Sequence, residues 1–149
     1  MRGTMRKTLV TRNFTADEFT CRHCGAAGIR ASFVEQLQRL RDYLGQPIKI
    51  NSGYRCTQHP VEAAKPAPGR HTEGIAADIS GPPLADIWRA LQHFPEFTGV
   101  GVSLSQNFIH VDTRALPAGV RRALWAYDAA GKPTVWDGRM DQITGGKDV

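Results

Sequence analysis

His71-Thr72-Glu73-Gly74-Ile75-Ala76-Ala77-Asp78, followed downstream by Phe108-Ile109-His110-Val111-Asp112, is the pair of segments that decides the fold. Both contain short, apolar, strand-like runs, and together they offer two imidazoles and a carboxylate, those of His71, His110 and Asp78. Zinc enzymes bind their metal with three such protein ligands and leave a fourth position open for water. The residues therefore point first to a catalytic zinc site.

Asp78 lies between Ile75 and Ile79, in a run that is otherwise apolar. An unpaired charge buried in such surroundings would be costly, so Asp78 needs a compensating partner. A metal ion is the leading partner. A simple buried salt bridge is the alternative.

Strand periodicity assigns these side chains to two faces of a sheet. Successive side chains point to opposite faces, so His110 and Asp112 share one face, and Asp78 and Ala76 share one face. Small Ala76 leaves room there for a metal or a substrate, while Gly74 allows a sharp turn before the strand. The core is expected on the opposite face, which carries Ile75, Ala77, Ile79, Ile109 and Val111.

The rest of the chain predicts helices first and strands later. Ser32 is expected to cap an amphipathic helix that Gly45 ends, and Pro83 to start a second one. Thr15 and Glu18 have the spacing of a capping box at a short helical turn. Further predictions are strands at 48–51, 75–79, 99–103 and 107–113, a long loop at 52–69, a helical turn at 118–124, and a terminal hairpin around residue 131.

This order of elements predicts an α+β fold, with helices packed on one side of a small antiparallel sheet that carries the zinc site. The 149-residue length suits one domain, which we place at residues 13–143 between a flexible N-terminus (1–12) and a disordered tail (144–149). A monomer is expected.

Composition and charge exclude several classes of protein. The net charge is +5, but the basic residues are scattered and form no dense patch, so nucleic acid is not an expected partner. No apolar run approaches the roughly 20 residues that cross a bilayer, and no apolar segment follows the basic N-terminus as in a secretory signal. The chain is expected to be made in the cytoplasm and to need export or release to act outside the cell.

At this point the motifs resemble a known family. His71-x-x-Gly74-x-Ala76-x-Asp78 is similar to the signature of the zinc D-alanyl-D-alanine carboxypeptidases, which share a fold with lysostaphin-type peptidases and the hedgehog signalling domain. The resemblance covers roughly residues 13–127, and it includes Ser52-Gly53-Tyr54-Arg55 and Gly99-Val100-Gly101. It points to the phage and cell-wall lysin branch.

The resemblance implies a function and a set of roles. His71, Asp78 and His110 would bind Zn²⁺, and Arg55 would hold a substrate carboxylate, although a structural ion pair is a serious rival role for Arg55. The substrate would be a peptidoglycan stem peptide, cut by a D,D-carboxypeptidase or an endopeptidase. Tyr54 is expected in the cleft wall on the substrate side.

Two positions depart from the family pattern. Gly69 stands where the family often has serine, and Asn107 stands where some branches place a carboxylate base. Asn107 could still hydrogen-bond a substrate. Asp112 is then the first candidate for the base, with the orientation of His110 as its alternative role, and Glu73 is a weaker candidate. The missing carboxylate favours a second function class, a non-catalytic zinc module that binds wall peptide or a protein partner.

The cysteines leave a further question open. Cys21-x-x-Cys24 is half of a zinc or redox motif, and Cys56 is the remaining cysteine. A second zinc would need a fourth ligand, for which His23 and His59 are candidates. Three reduced structural thiols are the simpler interpretation.

Overall fold

The computed structural model describes residues 9–67 and 69–139. These residues contain three α-helices, six strands and two 3₁₀ turns. The helices are α1 (Ala31–Leu44), α2 (Pro60–Ala63) and α3 (Leu84–Leu91). The strands are β1 (Lys49–Ser52), β2 (Ala76–Ser80), β3 (Gly99–Ser103), β4 (Phe108–Asp112), β5 (Ala123–Tyr127) and β6 (Pro133–Val135). The 3₁₀ turns are Ala16–Phe19 and Arg70–Glu73.

The six strands form one sheet in the order β1-β2-β4-β3-β5-β6. Neighbouring strands are antiparallel except β3 and β5, which run parallel, so the sheet is mixed. The predicted α+β class is confirmed, but the prediction that the sheet is antiparallel is wrong at the pairing of β3 with β5. The pairing of β2 with β4 sets Asp78 opposite His110 and Ala76 opposite Asp112, which brings the two opening segments side by side.

The two faces of the sheet divide as the periodicity predicts, except that Ile75 precedes β2 and is not part of the hydrophobic core. Ala77 and Ile79 of β2 and Ile109 and Val111 of β4 are fully buried in the hydrophobic core. Helices α1 and α3 supply the other half of that core, with residues such as Phe33, Leu37, Leu40, Ile87 and Leu91. The opposite face carries the polar side chains, so the helices cover one side of the sheet and leave the other for the site.

The C-terminal end of α1 agrees with the prediction from the sequence, and the N-terminal end does not. Gly45 adopts a left-handed conformation (φ 66°), and its N–H donates to the carbonyl of Arg41 at 2.9 Å, which ends the helix as predicted. The prediction that Ser32 caps the N-terminus is wrong. Ala31 is already helical, and Arg30 occupies the cap position without a side-chain cap bond.

The region after β4 differs from the prediction in one element. The predicted helical turn at 118–124 is wrong, because Ala123 and Leu124 open β5 and pair with β3, and Ala123 donates to the carbonyl of Thr98 at 2.7 Å. Pairing with an existing strand overrides a weak local helical preference. The terminal hairpin is confirmed, since β5 and β6 pair antiparallel and Gly131 between them has a φ of 84°.

Other predictions have mixed outcomes. The short helical turn is confirmed at Ala16–Phe19, where the Glu18 carboxylate accepts the N–H of Thr15 at 2.7 Å. The long loop contains the short helix α2. The predicted tail at 144–149 and the first eight residues of the predicted flexible N-terminus lie outside the described residues. Within the described part of the chain, no helix is long and apolar enough to cross a membrane.

Candidate metal centre

Three ligand side chains converge at the centre of the polar sheet face. Asp78 comes from β2, His110 from β4, and His71 from the 3₁₀ turn just before β2. The Oδ1 atom of Asp78 lies 3.3 Å from His71 Nε2 and 3.1 Å from His110 Nδ1. All three residues are buried, and their ligand atoms lie within 4.8 Å of one another.

Gly74 allows His71 to reach this point. Its φ of 75° is the left-handed conformation that other residues rarely adopt, and it reverses the chain between the 3₁₀ turn and β2. A Cβ atom at this position would lie 2.1 Å from the carbonyl oxygen of Gly28, so only a residue without a side chain fits here. The sharp turn predicted from the sequence is confirmed.

Hydrogen bonds fix which nitrogen of each imidazole faces the centre. His71 Nδ1 lies 2.7 Å from the carbonyl oxygen of Gly53, and His110 Nε2 lies 2.7 Å from Oδ2 of Asp112. In the neutral rings these nitrogens are the donors, which leaves His71 Nε2 and His110 Nδ1 as lone pairs facing the Asp78 carboxylate. Three acceptors that face one another suit a cation between them, so the donor set fits a metal ion.

Burial and the neighbouring charges shift the pKa values of these groups. Burial lowers the pKa of His71. Burial acts against the charge of Asp78 as well, but the contacts with His110 and His71 hold its pKa well below the usual range. Burial would also lower the pKa of His110, yet its bonds to Asp112 and Asp78 raise it. The carboxylate is therefore ionised at neutral pH, as metal ligation requires.

Asp112 lies behind His110 and away from the cleft. It is fully buried, and its oxygens accept from Nε and Nη2 of Arg114 at 2.9 and 2.6 Å in addition to His110. Burial would raise its pKa, but His110 and Arg114 keep that pKa low. Of the two roles predicted for Asp112, this geometry favours the orientation of His110 over proton transfer in the cleft.

Arg55 borders the same centre from the loop after β1. Its guanidinium donates to Glu62 at 2.9 Å and to Oδ2 of Asp78 at 3.3 Å, and its Nε donates to the Ser52 hydroxyl at 3.1 Å. The ion pair named as the rival role is therefore present. The side chain remains 14% exposed and forms part of the cleft wall, so contact with a substrate is also possible.

A cleft of about 440 Å³ opens over the three ligands. Its charged lining is mostly basic, and Asp78 is the one carboxylate among the described residues that line it. Aromatic side chains from β4 and β5 form another part of the cleft wall. The basic members are Arg55, Lys65, Arg70 and Arg114, and the aromatic members are Phe108, Trp125 and Tyr127.

Besides Asp112, three candidate residues predicted from the sequence lie outside the cleft lining. The ring of Tyr54 lies over Gly28, where an added Cβ would come within 2.4 Å of ring carbons. Asn107 is exposed in the turn between β3 and β4 with a φ of 56°. Glu73 is exposed and pairs with Arg70 at 2.8 Å.

Sequence reasoning missed two members of the site's charge network. Glu62 is buried beneath Arg55 and accepts from Lys65 at 3.1 Å and from the N–H of Gly69 at 2.8 Å. No periodic pattern in the loop marks it. Arg114 could have been predicted from the sequence, because it follows Asp112 by two residues and the alternation of the strand puts both on one face.

The sequence model of the peptidase M15 family matches residues 12–112. This chain belongs to the peptidase M15 family. The matched region contains all three converging ligands and ends at Asp112, so β5 and β6, which wall the cleft, lie beyond it. No curated protein matches the chain. Peptidases of this family are metal-dependent, which agrees with the ligand set.

Proposed function

We propose that this M15 peptidase is a zinc enzyme that hydrolyses amide bonds in peptidoglycan stem peptides. The observation that carries the proposal is the convergence of His71 Nε2, His110 Nδ1 and the Asp78 carboxylate at the floor of a basic cleft. Two imidazoles and a carboxylate are a ligand set used by zinc peptidases. Zinc bound there would polarise the scissile carbonyl and lower the pKa of a bound water.

The protein's own side chains prepare this chemistry. The carbonyl of Gly53 and the carboxylate of Asp112 hold the two imidazoles in the ligating orientation, which limits the reorganisation needed when the metal binds. Arg55 offers a guanidinium at the edge of the cleft next to the ligands. Such a group grips a peptide carboxylate with paired hydrogen bonds.

The charge of the chain supports an anionic substrate. The whole chain carries a net charge of +5, and four cationic side chains line the cleft, each of them in an ion pair with Glu62, Glu73 or Asp112. A stem peptide bears free carboxylates that suit this lining. The family resemblance implies the same class of substrate. We propose that the protein reaches this substrate at the cell wall after export or release.

The test is hydrolysis of purified peptidoglycan by the zinc-loaded protein. We expect new amino groups to appear, and mass spectrometry of the products would identify the bond that is cut. His71→Ala and His110→Ala should each abolish the release, and a chelator should do so reversibly, with zinc restoring activity. Full activity after rigorous removal of metal would rule out the metallopeptidase.

One observation favours a second function, that of a non-catalytic wall-binding module. Among the described residues, no carboxylate other than Asp78 lines the cleft, so the described part of the site has no evident proton acceptor. A binding module would retain zinc and sediment with peptidoglycan without releasing amino groups. The same incubation distinguishes the two functions, because binding without cleavage supports the module and cleavage excludes it.

A further inference from the structure

Cys21, Cys24 and Cys56 form a second cluster, separate from the cleft. Their sulfur atoms lie within 4.8 Å of one another, and the cysteines are free thiols. Cys21 and Cys24 follow the first 3₁₀ turn, whereas Cys56 comes from the loop after β1. Two segments that are more than thirty residues apart therefore meet through their thiols.

The backbone around Cys21 has the form of a metal-binding turn. The N–H of Gly25 donates to the carbonyl of Cys21 at 2.7 Å, and Gly25 has a φ of 77°, which closes a tight loop over the Cys-x-x-Cys pair. The N–H of Cys56 points at the sulfur of Cys21 at 3.3 Å. An N–H aimed at sulfur favours the thiolate, which is the form that binds metal.

An imidazole stands beside the thiols. His23 Nδ1 lies 3.4 Å from Cys56 Sγ, but the group of ligand atoms that all lie within 4.8 Å of one another contains the three sulfurs without His23, so this side chain would have to rotate towards the other two thiols to complete the site. In a tetrahedral zinc site with Zn–S and Zn–N bonds of ordinary length, neighbouring nitrogen and sulfur ligands are about 3.6 Å apart. His59 is close to His23, with ring centroids 6.3 Å apart, but its Nδ1 already accepts the N–H of Val61 at the start of α2.

We propose that Cys21, Cys24, Cys56 and His23 bind a structural zinc ion that clamps the N-terminal turn to the loop carrying Arg55. Three cysteines and one histidine form a closed structural ligand set, with the usual Cys-x₂-Cys spacing. Such a set leaves no open position for substrate, so this ion would stabilise the fold and take no part in hydrolysis.

Because Cys56 is next to Arg55 in the chain, the proposed zinc ion would also affect the cleft. Cys56 follows Arg55 directly, and the N–H of Arg55 donates to the carbonyl of His71 at 3.2 Å. Among its described residues, the loop between β1 and the second 3₁₀ turn contains no helix or strand apart from α2, so a metal bond at Cys56 would restrict the loop next to Arg55. We expect loss of this zinc to loosen Arg55 without removing the ligands in the cleft.

The first experiment counts zinc in reduced protein by elemental analysis. The wild type should bind two zinc ions per chain, and a His71→Ala/His110→Ala double variant should retain one. Cys24→Ser, chosen because Cys24 is exposed and its loss should not disturb the core, should remove that remaining ion. A double variant that binds no zinc, or thiols joined as a disulfide in the native protein, would overturn the proposal.

A second readout identifies the ligands in the same double variant. Cobalt bound by thiolates shows a sulfur-to-metal charge-transfer band, which should disappear in Cys24→Ser. His23→Ala should weaken zinc binding, whereas His59→Ala is the matched control and should not. The reverse result would overturn the assignment of His23. Because the cleft ligands are absent in this background, the outcome does not depend on whether the protein is a peptidase.

Discussion

At the residue scale, the site depends on which nitrogen of each histidine carries the proton. Gly53 and Asp112 each accept from one ring nitrogen, so the other nitrogen of each ring is presented to Asp78 as a lone pair. A partner of this kind fixes both the tautomer and the direction of a ligating histidine. The residues behind the ligands thus help to set the affinity of the site for zinc.

Asp112→Asn tests this dependence. The change removes the charge that holds His110 and Arg114, and we expect zinc affinity to fall about 10- to 100-fold. Competition with a chromophoric chelator measures the affinity, and Asp86→Asn, at a half-exposed position on α3 outside the cleft, is the control. Unchanged affinity together with lost turnover would instead assign Asp112 a direct part in the chemistry.

At the element scale, strand β3 keeps the space that the site needs. A Cβ at Gly99 would lie 2.2 Å from Oδ1 of Asp112, and one at Gly101 would lie 2.2 Å from Nε1 of Trp125. The absence of a side chain therefore leaves room for the Asp112 carboxylate at Gly99 and for the Trp125 indole at Gly101. Alternation along β3 explains why the two glycines serve the same face.

Gly99→Ala should act on the site through Asp112. The added methyl would displace the carboxylate, so we expect a loss of zinc affinity similar to that of Asp112→Asn. A double-mutant cycle with Asp112→Asn measures the coupling, and the double variant should be little worse than either single variant. Additive losses would mean that Gly99 supports the site by another route.

The end of helix α1 gives a prediction about stability alone. Gly45 has a φ of 66° with open space around it, so Gly45→Ala adds strain without a steric clash. We expect the free energy of unfolding to fall by about 1 kcal/mol, measured by urea denaturation. Gln46→Ala, at the next exposed position, is the control, and zinc affinity should not change in either variant. Unchanged stability in Gly45→Ala would show that the left-handed turn carries no such strain.

At the scale of the whole molecule, a buried charge network joins the long loop to the sheet. Glu62 on α2 binds Arg55 and Lys65, and Arg55 in turn reaches Asp78 on β2. Breaking a buried pair by removing one partner leaves the other charge uncompensated. The position of the loop over the cleft therefore depends on ion pairs within the loop and on the pair between Arg55 and Asp78, which joins the loop to the sheet.

The pH dependence of stability should reveal this network. Burial would raise the pKa of Glu62, but the Gly69 N–H, Arg55 and Lys65 lower it from 4.5 to about 2. A depressed folded-state pKa stabilises the protein above pH 4.5, and this contribution is lost as the pH falls towards 2. Glu62→Gln should cost about 1–3 kcal/mol at neutral pH and progressively less below pH 4.5.

Urea denaturation of both proteins between neutral and acid pH measures this difference. Glu35→Gln, which removes one charge from an exposed position on α1, is the matched control. A stability difference between wild type and Glu62→Gln that stays constant across the acid range would show that Glu62 does not contribute in this way.

Local patterns in the sequence determined much of the fold and the identity of the candidate ligands. Alternation in β2 and β4 assigned Asp78 and His110 to the polar face, and Gly45 ended α1, because periodicity and backbone conformation are properties of short segments. The pattern failed at 118–124, where Ala123 and Leu124 joined β3 as a parallel strand. That pairing depends on a distant partner, which a local pattern does not contain.

Only the tertiary structure decided what surrounds those ligands. The sequence offered Asp112 as a base or as a support for His110, and the structure placed it behind His110 with Arg114, out of the cleft. It also buried Glu62 beneath Arg55 and brought Cys56 to the Cys21 turn. Cys21 and Cys56 are far apart in the chain, Arg55 and Glu62 meet because the loop folds back on itself, and the role of Asp112 depends on which nitrogen of His110 it contacts. Tertiary packing fixes all three relations.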